Sequence, residues 1–257
     1  MNGEKNKILI PENNLITLTS RDKGFLDRVY KDGLEKYQKR IYQIGFKDKK
    51  HILDAGCGFG QWSFAMAQNS EKITGIDVSL SRIKICKEIA KINNFSNIEF
   101  FNESVEDLSY EDNSFDAIFC YSVIYSTDYK KTFKEFFRIL KKSGNLYFVS
   151  NGWGWLIYNL IKNPYPSNDF KPRRYALETA FNSMVFKITG NYLSKKDFYV
   201  NPKKMKLFLE NIGFKKVLLG PEGKLKHWDI KEEAINLSFH PDKYFGLTIF
   251  FEILAEK

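Results

Sequence analysis

An apolar strand breaks into a glycine-rich turn, His51-Ile52-Leu53-Asp54-Ala55-Gly56-Cys57-Gly58-Phe59-Gly60, and a second strand then ends in Gly75-Ile76-Asp77-Val78. No other feature constrains the chain as much. Glycines are needed where the backbone turns sharply out of a strand and must approach a ligand with no Cβ in the way. Asp77 follows Asp54 by twenty-three positions, close to the roughly 20-residue interval at which a carboxylate at the tip of the next parallel strand accepts both hydroxyls of a ribose. The segment reads as the adenosine-binding half of a nucleotide-type α/β fold, with a ligand that carries a ribose.

A dinucleotide fingerprint, G-x-G-x-x-G, needs its third glycine where this chain has Gln61. The pattern here is D-x-G-x-G-x-G instead. Asp54, just before the first glycine, would repel a pyrophosphate but engage an ammonium group, directly or through water. S-adenosylmethionine meets that description. From these residues onward the chain resembles the Rossmann-like (class I) S-adenosylmethionine-dependent methyltransferases of the small-molecule type. Three further stretches carry the resemblance: Glu103-Ser104-Val105-Glu106-Asp107-Leu108, Asp112-Asn113-Ser114-Phe115-Asp116-Ala117-Ile118-Phe119-Cys120, and Phe136-Phe137-Arg138-Ile139-Leu140-Lys141-Lys142-Ser143-Gly144-Asn145-Leu146-Tyr147-Phe148-Val149.

The resemblance implies Gly56, Cys57 and Gly58 as backbone contacts to the methionine part, Asp77 as the ribose carboxylate and Val78 as an apolar cover on adenine. It also implies Ser104 with Val105 at the adenine edge, Cys120 beside the amino group, and S-adenosylhomocysteine as product. Ser104 departs from the family, since many relatives place an Asp there.

At 257 residues, 43% hydrophobic and 28% charged, the chain can bury a sizeable core as one decorated domain. The expected divisions are an N-terminal helical cover (1–49), a cofactor core (50–150), a substrate-cover insert (151–200) and a C-terminal part (201–257). The apolar patch before Pro11 is too short for a secretory signal, and Cys57, Cys86 and Cys120 lack metal-ligand spacing. A cytoplasmic protein with reduced cysteines and no metal is expected. The net charge of +9 is unevenly distributed. Residues 51–154 are slightly acidic, whereas residues 155–205 hold nine basic and three acidic residues and residues 1–50 hold twelve and seven. A basic mouth over the methyl donor favours an anionic substrate.

Periodicity predicts a helix over Lys23–Ile44, then strands at Ile52–Asp54, Lys72–Asp77, Ile98–Phe101, Ala117–Tyr121 and Leu146–Ser150, alternating with helices at Trp62–Ala67, Ser81–Asn93 and Lys131–Leu140. Such alternation signals a doubly wound, mostly parallel seven-stranded sheet. After an irregular insert (Trp155–Tyr199), a helix opens at Asn201-Pro202 and stops at Gly213. Phe214–Leu219 and Gly246–Ala255 then form the last two strands.

Methyl transfer from a sulfonium mainly requires in-line positioning; a hydroxyl acceptor also needs a base. Relatives with small substrates often carry His or Glu after the fourth strand, where this chain has Tyr125 and Ser126. The candidate bases are therefore Tyr125, His227 and His240, with His227 favoured over His240 because Asp229 is placed to orient it. His51 reads as a solvated strand start.

Asn151-Gly152-Trp153-Gly154-Trp155 follows the fifth strand, and its indoles read either as an aromatic wall or as a packing hinge. Trp153, Arg173 and Arg174 are the candidate substrate residues, the arginines for a phosphate or carboxylate. Trp155–Lys162 is too short to span a bilayer, yet its apolar face suits a membrane surface and a lipid-linked or quinone-like acceptor. RNA is a weaker rival: Lys171-Pro172-Arg173-Arg174-Tyr175 suits phosphate contacts, but no separate nucleic-acid module accompanies it. Outside the enzymes stands a cofactor-binding partner subunit. The expected acceptor is a small anionic, hydroxylated metabolite.

Overall fold

The computed structural model describes residues 7–11, 15, 18–193, 197–199 and 201–257. Its elements run α1 (Ser20–Tyr30), α2 (Glu35–Gln43), β1 (His51–Ala55), α3 (Gln61–Ala67), β2 (Lys72–Asp77), α4 (Leu80–Ile92), β3 (Ile98–Asn102), β4 (Phe115–Tyr121), α5 (Tyr129–Ile139), β5 (Leu140–Asn151), α6 (Trp153–Lys162), α7 (Pro172–Thr189), α8 (Pro202–Ile212), β6 (Lys215–Pro221), β7 (Lys243–Tyr244), β8 (Leu247–Thr248) and β9 (Phe250–Glu256). Successive side chains in a strand point to opposite faces, and this sheet buries both. Ile52, Ala117 and Phe119 enter one core with residues of α1 to α4, while Leu53, Ile118 and Cys120 enter a second with residues of α5 and α8.

The sheet order is β3-β2-β1-β4-β5-β9-β6, with β9 antiparallel to both neighbours. Strand order reverses between β1 and β4, so a crevice opens at their carboxyl ends, the usual ligand position in an open α/β sheet. The expected Rossmann-like sheet is present, with helices before it and an insert after β5.

Three expectations change. The N-terminal helix is two helices, because Gly33 takes φ of +69° and turns the chain between Tyr30 and Glu35. The insert is helical: Pro172 opens α7 and left-handed Gly190 closes it. Its helical signal was obscured because the usual faces are exchanged. Thr179 and Ser183 are buried, whereas Leu177, Phe181, Met184 and Ile188 are exposed. The segment over Gly246–Ala255 is also divided, into β8 and β9.

A buried ion pair fixes α2 to the sheet. Nη2 of Arg40 lies 2.5 Å from Oε2 of Glu252, which also accepts the Tyr147 hydroxyl at 2.7 Å and the Gly223 amide at 2.8 Å. Oε1 accepts the amides of Lys224 and Leu225. One carboxylate thereby joins α2, β5, β9 and the start of the long connection that leads to β7.

Candidate active site

At the end of β1 the amides of Gly56 and Cys57 both donate to the Ile76 carbonyl at 2.8 Å, which ties the turn to β2. Gly56 has φ of +77°, and a Cβ there would sit 2.2 Å from Cγ2 of Val123. Asp77 at the end of β2 accepts the Gly58 amide on Oδ2 (3.0 Å) and the Ser79 amide on Oδ1 (2.8 Å). Each oxygen keeps a further lone-pair site. Gly56, Cys57, Gly58, Asp77, Val78, Ser104 and Val105 all line one cleft of about 740 Å³. Val78 is 73% exposed within this lining and presents an apolar surface to the cleft.

Two expected cofactor residues lie behind the wall. Cys120 is wholly buried in the core shared with α5 and α8. Asp54 is buried, and its Oδ2 accepts the Ser63 hydroxyl at 2.5 Å. Burial raises its carboxyl to about 7, against the opposing Ser63 bond, and neighbouring Asp77 adds to the rise. A polar atom next to the turn is Oε1 of Gln61, buried in a residue of the cleft lining and without a hydrogen-bond partner among the described residues.

The same lining includes Asn151, Trp155, Asn159, Phe239, His240 and Phe250. Gly152 and Gly154 belong to the packing: a Cβ at Gly154 would lie 2.3 Å from the Leu247 carbonyl oxygen. Of the two indoles, Trp155 faces the cleft, while Trp153 is absent from its lining and packs on Tyr199 at 5.2 Å. The sequence motif thus combines a hinge with one aromatic wall residue.

The mouth is basic, but its cations come from α1. Arg21 and Arg28 lie over the rings of Phe170 and Tyr165, each at 4.1 Å, and Lys31 lines the same cleft. Among the described residues none of these three forms a salt bridge, whereas Arg82 is paired with Asp22 at 2.6 Å. Arg173 and Arg174 lie outside the lining. Arg173 donates to the Leu160 carbonyl, and Arg174 pairs with Glu178 one turn along the same helix.

The candidate bases separate likewise. His227, favoured from sequence, lies outside the cleft lining: its amide donates to the Gln43 carbonyl and its ring packs, tilted, on Trp228 at 4.0 Å. The chain after β6 folds back over the end of α2 before it reaches the mouth. Burial lowers the His227 pKa, which favours the neutral ring. Tyr125 lines the cleft, but burial raises its phenol further from ionisation. His240 lines the cleft and stacks on Phe250 at 4.2 Å. His51 lies at the opposite end of β1, bonded to Thr74.

Sequence reasoning missed Arg21, Arg28, Asn151, Asn159 and Glu222. The charge surplus of the first fifty residues pointed towards the arginines, and Asn151 opens the motif read for its indoles; nothing local marked Asn159 or Glu222.

A family model described as a methyltransferase domain matches residues 46–181, more than half of the chain. Demethylmenaquinone methyltransferase of Lactococcus lactis is 35% identical over 112 residues, which cover 42% of this chain and 44% of that protein. The chain spans about half the length of the curated relatives it matches. Among solved structures, a SAM-dependent methyltransferase from Aquifex aeolicus superposes with a TM-score of 0.56 at 15% identity, covering 92% of this chain and 97% of that one. Haemonchus contortus phosphoethanolamine N-methyltransferase 2, in complex with phosphomonomethylethanolamine and S-adenosylhomocysteine, gives 0.59 at 17% identity, covering 82% of this chain and 46% of that one.

Proposed function

Since the chain belongs to the methyltransferase-domain family, we propose that it transfers a methyl group from S-adenosylmethionine to a small anionic, hydroxylated metabolite and releases S-adenosylhomocysteine. The cleft suits the donor. The Gly56–Gly58 backbone leaves room for close approach, Asp77 offers lone pairs to a ribose diol, Val78 offers an apolar surface to adenine, and Gln61 Oε1 offers an acceptor to an ammonium group. When bound, S-adenosylmethionine supplies a sulfonium-activated methyl; the protein's task is to orient the acceptor and exclude water.

The observation that carries the anionic reading is the mouth of this cleft, where Arg21, Arg28 and Lys31 have no carboxylate partner among the described residues. A guanidinium stacked on a ring keeps its in-plane N–H groups available for a carboxylate or phosphate. The test is transfer of radiolabelled methyl to a panel of hydroxylated carboxylates and phosphomonoesters, each beside its methyl ester or dephosphorylated form. At least tenfold higher kcat/KM for the anionic members is expected. Equal transfer to both members of every pair removes the anionic acceptor.

One observation favours a second reading, a lipid-linked or quinone-like acceptor. The exposed stripe of Leu177, Phe181, Met184 and Ile188 is a contiguous apolar surface on α7, near the exposed cations Arg173 and Lys187. No described helix is long and apolar enough to cross a membrane. Flotation with anionic vesicles separates the readings, since a small-metabolite enzyme stays in the soluble fraction.

A further inference from the structure

Four polar side chains of the cleft lining hold buried atoms with no hydrogen-bond partner among the described residues: both amide atoms of Asn151, Oδ1 of Asn159, Oε1 of Gln61 and Nδ1 of His240. Folded proteins leave few such atoms, because each forfeits its hydration without replacement. Three of these residues, Asn151, Asn159 and His240, gather around Phe250 and Trp155. Asn151 pairs directly with Phe250 in the antiparallel β5–β9 ladder, so the two side chains share a face of the sheet. His240 stacks on that Phe250 ring, and Trp155, whose carbonyl accepts Nδ2 of Asn159 at 2.7 Å, packs against both rings.

Behind His240 lies Glu222, a buried carboxylate that accepts the Tyr121 hydroxyl (2.9 Å) and the amides of Phe239 and His240. Its Oε2 is 3.8 Å from Nδ1 of His240. Nδ1 is therefore enclosed on the Glu222 side, while Nε2 has no partner among the described residues and is not one of the buried orphans. It is the ring nitrogen left open to the cleft.

We propose that Asn151, Asn159 and His240 form the acceptor subsite, built for a hydroxyl group, with His240 as the catalytic base and Glu222 as the residue that positions it. The proposal rests on the methyl-donor reading and holds for a small metabolite or a quinol alike. The acceptor hydroxyl is held by the Asn151 carboxamide. As its oxygen forms the new bond to the methyl carbon, the carbon–sulfur bond breaks and its electron pair stays on sulfur. The hydroxyl proton passes to Nε2. The Glu222 carboxylate, 3.8 Å from Nδ1, favours the Nδ1–H tautomer by its charge, which leaves the Nε2 lone pair free for the acceptor, and it offsets the imidazolium charge. Product release returns the proton to water.

Two measurements need no known acceptor. The first is ¹⁵N NMR of the neutral imidazoles, with His240→Gln to assign the signal. His240 should be in the Nδ1–H form in the wild type and should shift towards Nε2–H in Glu222→Gln. A wild type in the Nε2–H form overturns the pairing. The second is the melting temperature of the ligand-free protein. Asn151→Leu removes two orphaned atoms at similar volume, and should raise it by about 2–4 °C; a fall means that Asn151 is satisfied in the resting protein, which overturns the subsite.

Calorimetric titration with S-adenosylhomocysteine distinguishes the levels. Glu222→Gln and Asn151→Leu should each bind it within twofold of the wild type. A wild type that binds it and yet fails the NMR test loses this inference alone, whereas one that does not bind it loses the donor reading beneath.

Discussion

Gly58 donates its amide to Oδ2 of Asp77 at 3.0 Å, so the carboxylate facing the cleft also holds the glycine turn in place. Replacement of Asp77 by Ala should weaken S-adenosylhomocysteine by about 2–3 kcal/mol, the worth of two charge-assisted hydrogen bonds. Asp77→Asn, which keeps an acceptor for the Gly58 amide, should lose less. Isothermal titration of the three proteins checks the order, and equal affinities would remove Asp77 from the donor site.

The cations of α1 and α7 have separate expected effects. Arg21→Ala with Arg28→Ala should raise KM for the anionic acceptor at least tenfold, leave donor affinity within twofold, and lose its effect as salt rises, since charges open to water are screened over about 8–10 Å at moderate ionic strength. Arg173→Ala with Arg174→Ala should change KM by less than twofold, because those guanidinium groups are directed to a helix carbonyl and to Glu178. Steady-state kinetics at two salt concentrations distinguish the pairs.

Asp54 makes ligand-free stability dependent on pH. Burial raises its folded-state pKa to about 7, from an ordinary value of 3.8. Between these values the folded protein binds more protons than the unfolded chain, so the Asp54 contribution is complete below pH 4 and is lost as pH rises through 7. Asp54→Asn should therefore gain stability relative to wild type between pH 5 and pH 8, by on the order of 1–3 kcal/mol. Thermal melts at the two pH values test this; a difference that stays constant refutes it.

Arg40 and Glu252 should behave as a unit. Arg40→Met leaves a buried carboxylate without its counter-charge and should lower unfolding stability by about 3–5 kcal/mol in urea titration. The further change Glu252→Gln should recover part of that loss, because a neutral side chain no longer needs the guanidinium. If the double variant is less stable than Arg40→Met alone, the carboxylate's bonds to the amides of Gly223, Lys224 and Leu225 outweigh its charge.

The turn at Gly56–Gly60, the carboxylate at Asp77 and the alternation of strands and helices were legible in the sequence because each rests on local rules. A left-handed residue follows β1, a carboxylate ends β2, and a sheet buried on both faces needs apolar strands of fixed length. Those rules set the fold and the glycine-turn side of the cleft. They do not reach the rest of the cleft, which is built from residues far apart in the chain: Arg28 over Tyr165, His240 over Phe250, Glu222 beside His240.

His227 and His240 show the difference most clearly. Both occupy the same long connection, and the nearby Asp229 made His227 the better candidate by sequence. Only the path of that connection, anchored on Glu252 and folded over α2, sends His227 into packing and brings His240 to the cleft. The sequence determined which groups were available for chemistry. Tertiary structure decided which of them share a cavity, because proximity between distant segments depends on how the layers pack and not on any local preference of the chain.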